Sequence, residues 1–153
     1  MISSPIDRSA AIDEVAASLL PRASLTTRLV FRASRRRVAR SEGAVLAALS
    51  AGPRRITELA DLEGLAQPTM TLVVKRMEQR GWLARERDAA DGRAVLISLT
   101  DDGATVLDEL RADYRAVLRD HMAAMTDEQV EGLMTATAAL QYLIDALQGK
   151  DSE

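Results

Sequence analysis

One change of hydrophobic period, at Gly81, constrains this chain more than any other feature. Before it, in the segment Gln67–Arg80, apolar residues recur at Met70, Val73, Val74 and Met77. That is the i, i+3, i+4, i+7 spacing that gathers side chains on one face of an α-helix. After it, Trp82–Arg87 and Ala94–Leu99 follow the period of two that marks strands. The segment between them, Asp88–Arg93, is polar and holds the turn-forming pair Asp91-Gly92. Upstream, the segment from Ile56 to Gly64 reads as a short helix with Thr57 as its cap, Leu59, Ala60 and Leu62 inward, and Gly64 at the turn. Pro68 suits the first turn of the next helix. Two short helices joined by a tight turn and followed by a hairpin specify a winged helix-turn-helix.

The flanks are helical. From about Ser9 to Arg32 one stripe carries Ile12, Val15, Ala16, Leu19 and Leu20, and Pro21 either kinks this helix or divides it in two. Ser41 precedes a short helix through Ala44, Val45, Ala48 and Leu49 that closes at Ala51-Gly52-Pro53. Thr100 caps a long helix whose stripe is Leu107, Leu110, Tyr114, Val117 and Leu118. Asp101 and Asp102 fall in its first turn, where the helix dipole favours them. Thr126 and Gln129 form a capping box for a last helix, striped by Val130, Leu133, Met134, Thr137, Leu140 and Ile144. The expected fold is therefore mainly α with a small β-wing, one domain over 1–153. Residues 40–100 form its winged helix-turn-helix lobe, and 1–35 with 101–148 form a helical dimerisation region. A reading unit this small cannot cover those terminal stripes. A two-fold homodimer covers them and sets two recognition helices about one DNA turn, roughly 34 Å, apart.

Composition removes several function classes. There is no cysteine, hence no disulfide, thiolate metal site or cysteine nucleophile. The single histidine, His121, makes no metal cluster, and no cofactor is expected. No phosphate-binding glycine loop or nucleophile elbow occurs, which argues against an enzyme. No apolar run approaches the roughly 18–20 residues of a membrane span, and Asp7, Asp13 and Glu14 interrupt any signal-peptide pattern. A cytoplasmic protein is expected.

The net charge of −3 hides an asymmetry. Residues 28–93 hold 14 Lys/Arg against 8 Asp/Glu, whereas residues 94–153 hold 4 against 12. Opposite the apolar face of the Gln67–Arg80 helix lie Pro68, Thr71, Leu72, Lys75 and Gln79, flanked by Thr69 and Arg76. That face has no acidic residue. Its hydroxyl, amide and cationic groups suit base edges and phosphates, and Leu72 suits a thymine methyl. In the hairpin, Arg85, Arg87 and Arg93 flank the tip, where a guanidinium can enter a minor groove, and Asp91 can orient Arg93. These features point to double-stranded DNA as the partner. The alternative is a winged-helix protein-interaction module without sequence-specific DNA binding.

The block from Ile56 to Gly103 resembles the MarR family of bacterial transcription regulators. The residues that carry the resemblance are Leu59-Ala60, Pro68-Thr69, Arg80-Gly81, Asp91-x-Arg93 and Leu99-Thr100-x-x-Gly103, in that order. It covers about residues 40–110. The resemblance implies a dimer interlocked through its terminal helices, a recognition helix in each major groove and wing arginines in the minor groove. Arg93 matches the wing arginine and Asp91 its partner, while Thr69, Thr71 and Lys75 match recognition-helix contacts. The chain departs at Gly92, where the family often has a second arginine, and at Leu72, where many members are polar. The family also implies a repressor of a pseudo-palindromic operator, released by a small lipophilic or phenolic ligand. Phe31, Tyr114 and His121 are the candidates to meet that ligand.

Overall fold

The computed structural model describes residues 7–87 and 94–149. The chain divides into two compact units, residues 1–115 and 116–153. The first begins with α1 (Arg8–Ala33), whose cap Asp7 accepts from the backbone N–H of Ser9 at 3.1 Å and of Ala10 at 3.4 Å. Pro21 lies inside α1, so of the two sequence readings the single helix holds.

Two helix starts differ from expectation for one physical reason. In α2 (Arg40–Leu49) the cap position is Ala39, and Glu42 at the third helical position reaches back to accept the Ala39 N–H at 3.0 Å. In α3 (Ile56–Glu63) the cap is Arg55, and Glu58 accepts its N–H at 3.1 Å. Each free donor is thus met by a downstream glutamate rather than by a capping hydroxyl, and Ser41 and Thr57 fall inside the helices. Leu62, expected inward, is 58% exposed. The face of α3 turned to the core runs through Ile56, Leu59 and Ala60, and Leu62 lies roughly a third of a turn round from its centre. Gly64 ends α3 with φ 61° and ψ 32°, the left-handed region where a Cβ is strained.

After the turn comes α4 (Gln67–Gln79), with Pro68 in its first turn. A three-stranded antiparallel sheet follows the order β1-β3-β2, with β1 at Arg54–Arg55, β2 at Leu83–Arg87 and β3 at Val95–Leu99. The hairpin register runs from Leu83 opposite Leu99 to Arg87 opposite Val95. The two-residue β1, with Arg54 opposite Ile97, was not in the sequence reading, because an Arg-Arg pair shows no alternation. Val45, Leu46, Leu59, Met70, Val74, Met77 and Ile97 are fully buried together at the centre.

Helix α5 (Asp101–Met122) closes this core with Leu107 and Leu110. Its start is anchored on the turn that ends α4. The Thr100 hydroxyl donates to the Gly81 carbonyl at 2.6 Å and accepts from the Gly103 N–H at 3.1 Å, as a capping residue should. A Cβ at Gly103 would stand 2.0 Å from the Trp82 carbonyl oxygen, so the approach requires glycine.

In the second unit, α6 (Asp127–Leu147) begins with the expected capping box. Gln129 donates its N–H to the Thr126 hydroxyl at 3.3 Å, and its side chain accepts from the Thr126 N–H at 3.0 Å. No residue of α1 or of α6 is buried. Ile12, Val15 and Leu20 on α1, and Leu133, Met134, Ile144 and Leu147 on α6, are exposed. Among the described residues no helix is long and apolar enough to cross a membrane.

Candidate nucleic-acid interface

The period read from the sequence orients α4. Met70, Val73, Val74 and Met77 are all buried, which fixes the rotation of the helix on the core. The complementary stripe therefore faces outward: Leu72 is 62% exposed, and Pro68, Thr69, Lys75, Arg76 and Gln79 are exposed with it. Thr69, Leu72, Lys75, Arg76 and Gln79 together line an open depression. Thr71 differs from the sequence reading. It is half-buried at the edge of the helix, and its hydroxyl donates to the Gln67 carbonyl at 2.9 Å. Its place on the wheel lies nearer to Val74 than to Gln79.

The one acidic residue on α4, Glu78, is held by the wing. Arg85 Nε donates to Glu78 Oε1 at 2.7 Å and Arg85 Nη2 to Oε2 at 2.9 Å, a bidentate pair. The Glu78 hydrogen bond, more than the accompanying Coulombic attraction, raises the pKa of Arg85 above its ordinary value. Arg85, which the sequence grouped with the arginines flanking the tip, instead ties β2 to α4. Arg87 ends β2 and is exposed. Asp91 and Arg93 lie outside the described residues.

A second pair was not visible in the sequence. Glu42 is 2% exposed, and its carboxylate accepts from Arg80 Nη1 at 3.1 Å as well as from the Ala39 N–H. Arg80 caps the C-terminal end of α4 and places its guanidinium 4.8 Å from the centre of the Trp82 ring. The pair joins the start of α2 to the end of α4 across 38 residues, a separation that leaves no local pattern to read.

Of the residues considered for a small ligand, Phe31 and Tyr114 are brought together, their ring centres 5.0 Å apart and tilted by 60°. Burial first, and then the charge of Asp113, raises the Tyr114 pKa. Its buried hydroxyl has no hydrogen-bond partner among the described residues. Phe31 also borders a groove of about 320 Å³ with Thr27, Arg28, Arg32, Val38 and Arg40. The link between α1 and α2 is pinned to α5: Asp113 accepts from the Ser34 hydroxyl and from the Arg35 N–H at 3.1 Å, and Arg36 pairs with Glu109. His121 lies in the second unit, exposed, with its Nδ1 2.8 Å from the Val117 carbonyl.

A helix-turn-helix whose second helix leads into an antiparallel hairpin defines the class as winged helix-turn-helix. Residues 40–95 match the sequence model of the MarR family. It is 30% identical over 97 residues to the HTH-type transcriptional repressor MdtR of Bacillus subtilis (strain 168), covering 63% of this chain and 63% of that protein. It is 37% identical over 83 residues to the organic hydroperoxide resistance transcriptional regulator of the same organism, covering 54% of this chain and 53% of that one. The matches thus span roughly half to three-fifths of these relatives' lengths. In fold, the chain is similar to the YusO protein of Bacillus subtilis, with a TM-score of 0.65 at 23% identity, over 89% of this chain and 98% of that one.

Proposed function

We propose that this chain is a cytoplasmic DNA-binding transcription regulator and not an enzyme. It acts as a repressor that grips a pseudo-palindromic operator as a homodimer and is modulated by a small lipophilic or phenolic ligand. The observation that carries the reading is the outward stripe of α4, exposed, cationic and free of acid, while the one carboxylate on that helix is held by Arg85. Pro68, Thr69, Leu72, Lys75 and Arg76 enter the major groove, with Thr71 at the margin. Arg87 grips the backbone or minor groove, and Asp91 and Arg93 are proposed as part of the same contact from the sequence alone. The apolar side chains exposed on α1 and on α6 support pairing with a second copy through residues 1–35 and 101–148, leaving 40–100 as the reading lobe. Phe31 and Tyr114 meet the ligand. The relatives' names, a repressor and a transcriptional regulator, favour the same activity.

Selection of bound sequences from random duplexes, followed by titration of the winner against salt, tests the reading. The expected result is an inverted-repeat site and a steep negative slope of log affinity on log salt. Retention of no duplex above a scrambled control would refute it.

A further inference from the structure

We propose that Leu72 reads the 5-methyl group of a thymine and is thereby a specificity determinant of the α4 face. The inference rests on the duplex-binding reading above and extends it to one atom group of the target.

Starting from Leu72, the exposed stripe runs Leu72, Lys75, Arg76 and Gln79, the i, i+3, i+4, i+7 set that mirrors the buried one, with Thr69 one turn earlier. Four of the five side chains lining the depression end in hydrogen-bond donors: a hydroxyl, an ammonium, a guanidinium and an amide. They suit phosphate oxygens and the acceptor edge of guanine. Leu72 alone among them has no polar atom in its side chain, yet it is 62% exposed. Its burial against phosphate or a guanine edge gains nothing. In the major groove the apolar feature of a base edge is the thymine C5 methyl. Glu78, the only carboxylate on α4, is occupied by Nε and Nη2 of Arg85, so no free acid on this helix opposes a base or phosphate beside Leu72. The target is therefore a thymine flanked by a guanine or a phosphate that the donors engage.

Uracil replaces the methyl with hydrogen and leaves the hydrogen-bonding edge intact, so it isolates the contact. A duplex selected by the wild-type protein is remade with each thymine changed singly to uracil, and affinities are measured by fluorescence anisotropy. One thymine per half-site should cost about fourfold when changed, and about fifteenfold when changed in both half-sites, the worth of one buried methyl each time. Leu72→Ala should bind thymine and uracil at that position equally, while Leu72→Met and Lys75→Ala retain the preference. Equal tolerance of uracil at every position by the wild type, or an undiminished preference in Leu72→Ala, overturns the inference and leaves duplex binding standing. Selection of no duplex overturns duplex binding itself, and the inference falls with it.

Discussion

The winged-helix lobe and α6 carry apolar stripes of similar regularity and treat them in opposite ways. In α4 all four stripe residues are buried, and in α2 Val45, Leu46 and Leu49 are too. In α6 the stripe runs for about four turns and no residue is buried. Leu133, Met134 and Ile144 are 38%, 67% and 44% exposed. Periodicity states which face of a helix is apolar; it does not state what covers that face. Within the lobe the answer is the chain itself. For α6 the proposed answer is a second copy.

The largest effect expected inside the lobe is at Gly103. Gly103→Ala places a methyl 2.0 Å from a backbone carbonyl, where no side chain can give way. It should cost at least about 3 kcal/mol in chemical denaturation; a loss near zero would mean that α5 does not start where it is described. Next comes Leu46→Ala, which removes a fully buried side chain and should cost about 2–5 kcal/mol independently of protein concentration. The contrasting pair Leu133→Ser with Ile144→Ser should leave the helix content intact and lower the melting temperature, most at low protein concentration, as a dimer weakens. If that double variant melted like the wild type at every concentration, the contrast between the two regions would lose its explanation.

Smaller effects sharpen the same contrast. Gly64→Ala, in the left-handed turn between α3 and α4, should destabilise by about 1 kcal/mol while leaving the depression on α4 intact. Tyr114→Phe should change stability at neutral pH by less than about 0.5 kcal/mol, since the hydroxyl it removes is buried with no partner among the described residues. Its signature is alkaline. Burial and Asp113 raise the folded pKa above the ordinary 10.0, so the phenol's contribution is complete below that value and is lost as pH rises through the folded one. The wild type should therefore lose stability more steeply than Tyr114→Phe above about pH 10, as read by urea titration.

What the sequence made legible follows from how far each signal reaches. The buried face of α4, the two strands of the hairpin and the caps of α5 and α6 are local patterns a few residues long, and the residues assigned to them sit as expected. The starts of α2 and α3 were misread because Ala39 and Arg55 are poor capping residues, and the glutamates that satisfy their N–H groups stand three positions on. Thr71 was placed too far round the helix; its position between two faces, and the carbonyl its hydroxyl prefers, are decided by packing. Glu42 with Arg80, and Glu78 with Arg85, join residues whose proximity exists only after folding.

The central claim is that the outward face of α4 holds duplex DNA. It is tested most directly by the salt dependence of Lys75→Ala and Arg76→Ala on the selected duplex, each compared with the wild type. Both side chains are exposed, so their removal should shift stability by no more than about 0.5 kcal/mol. Each that meets a phosphate should weaken binding and flatten the log–log salt slope by about one. Wild-type affinity and wild-type slope in both variants would contradict the account.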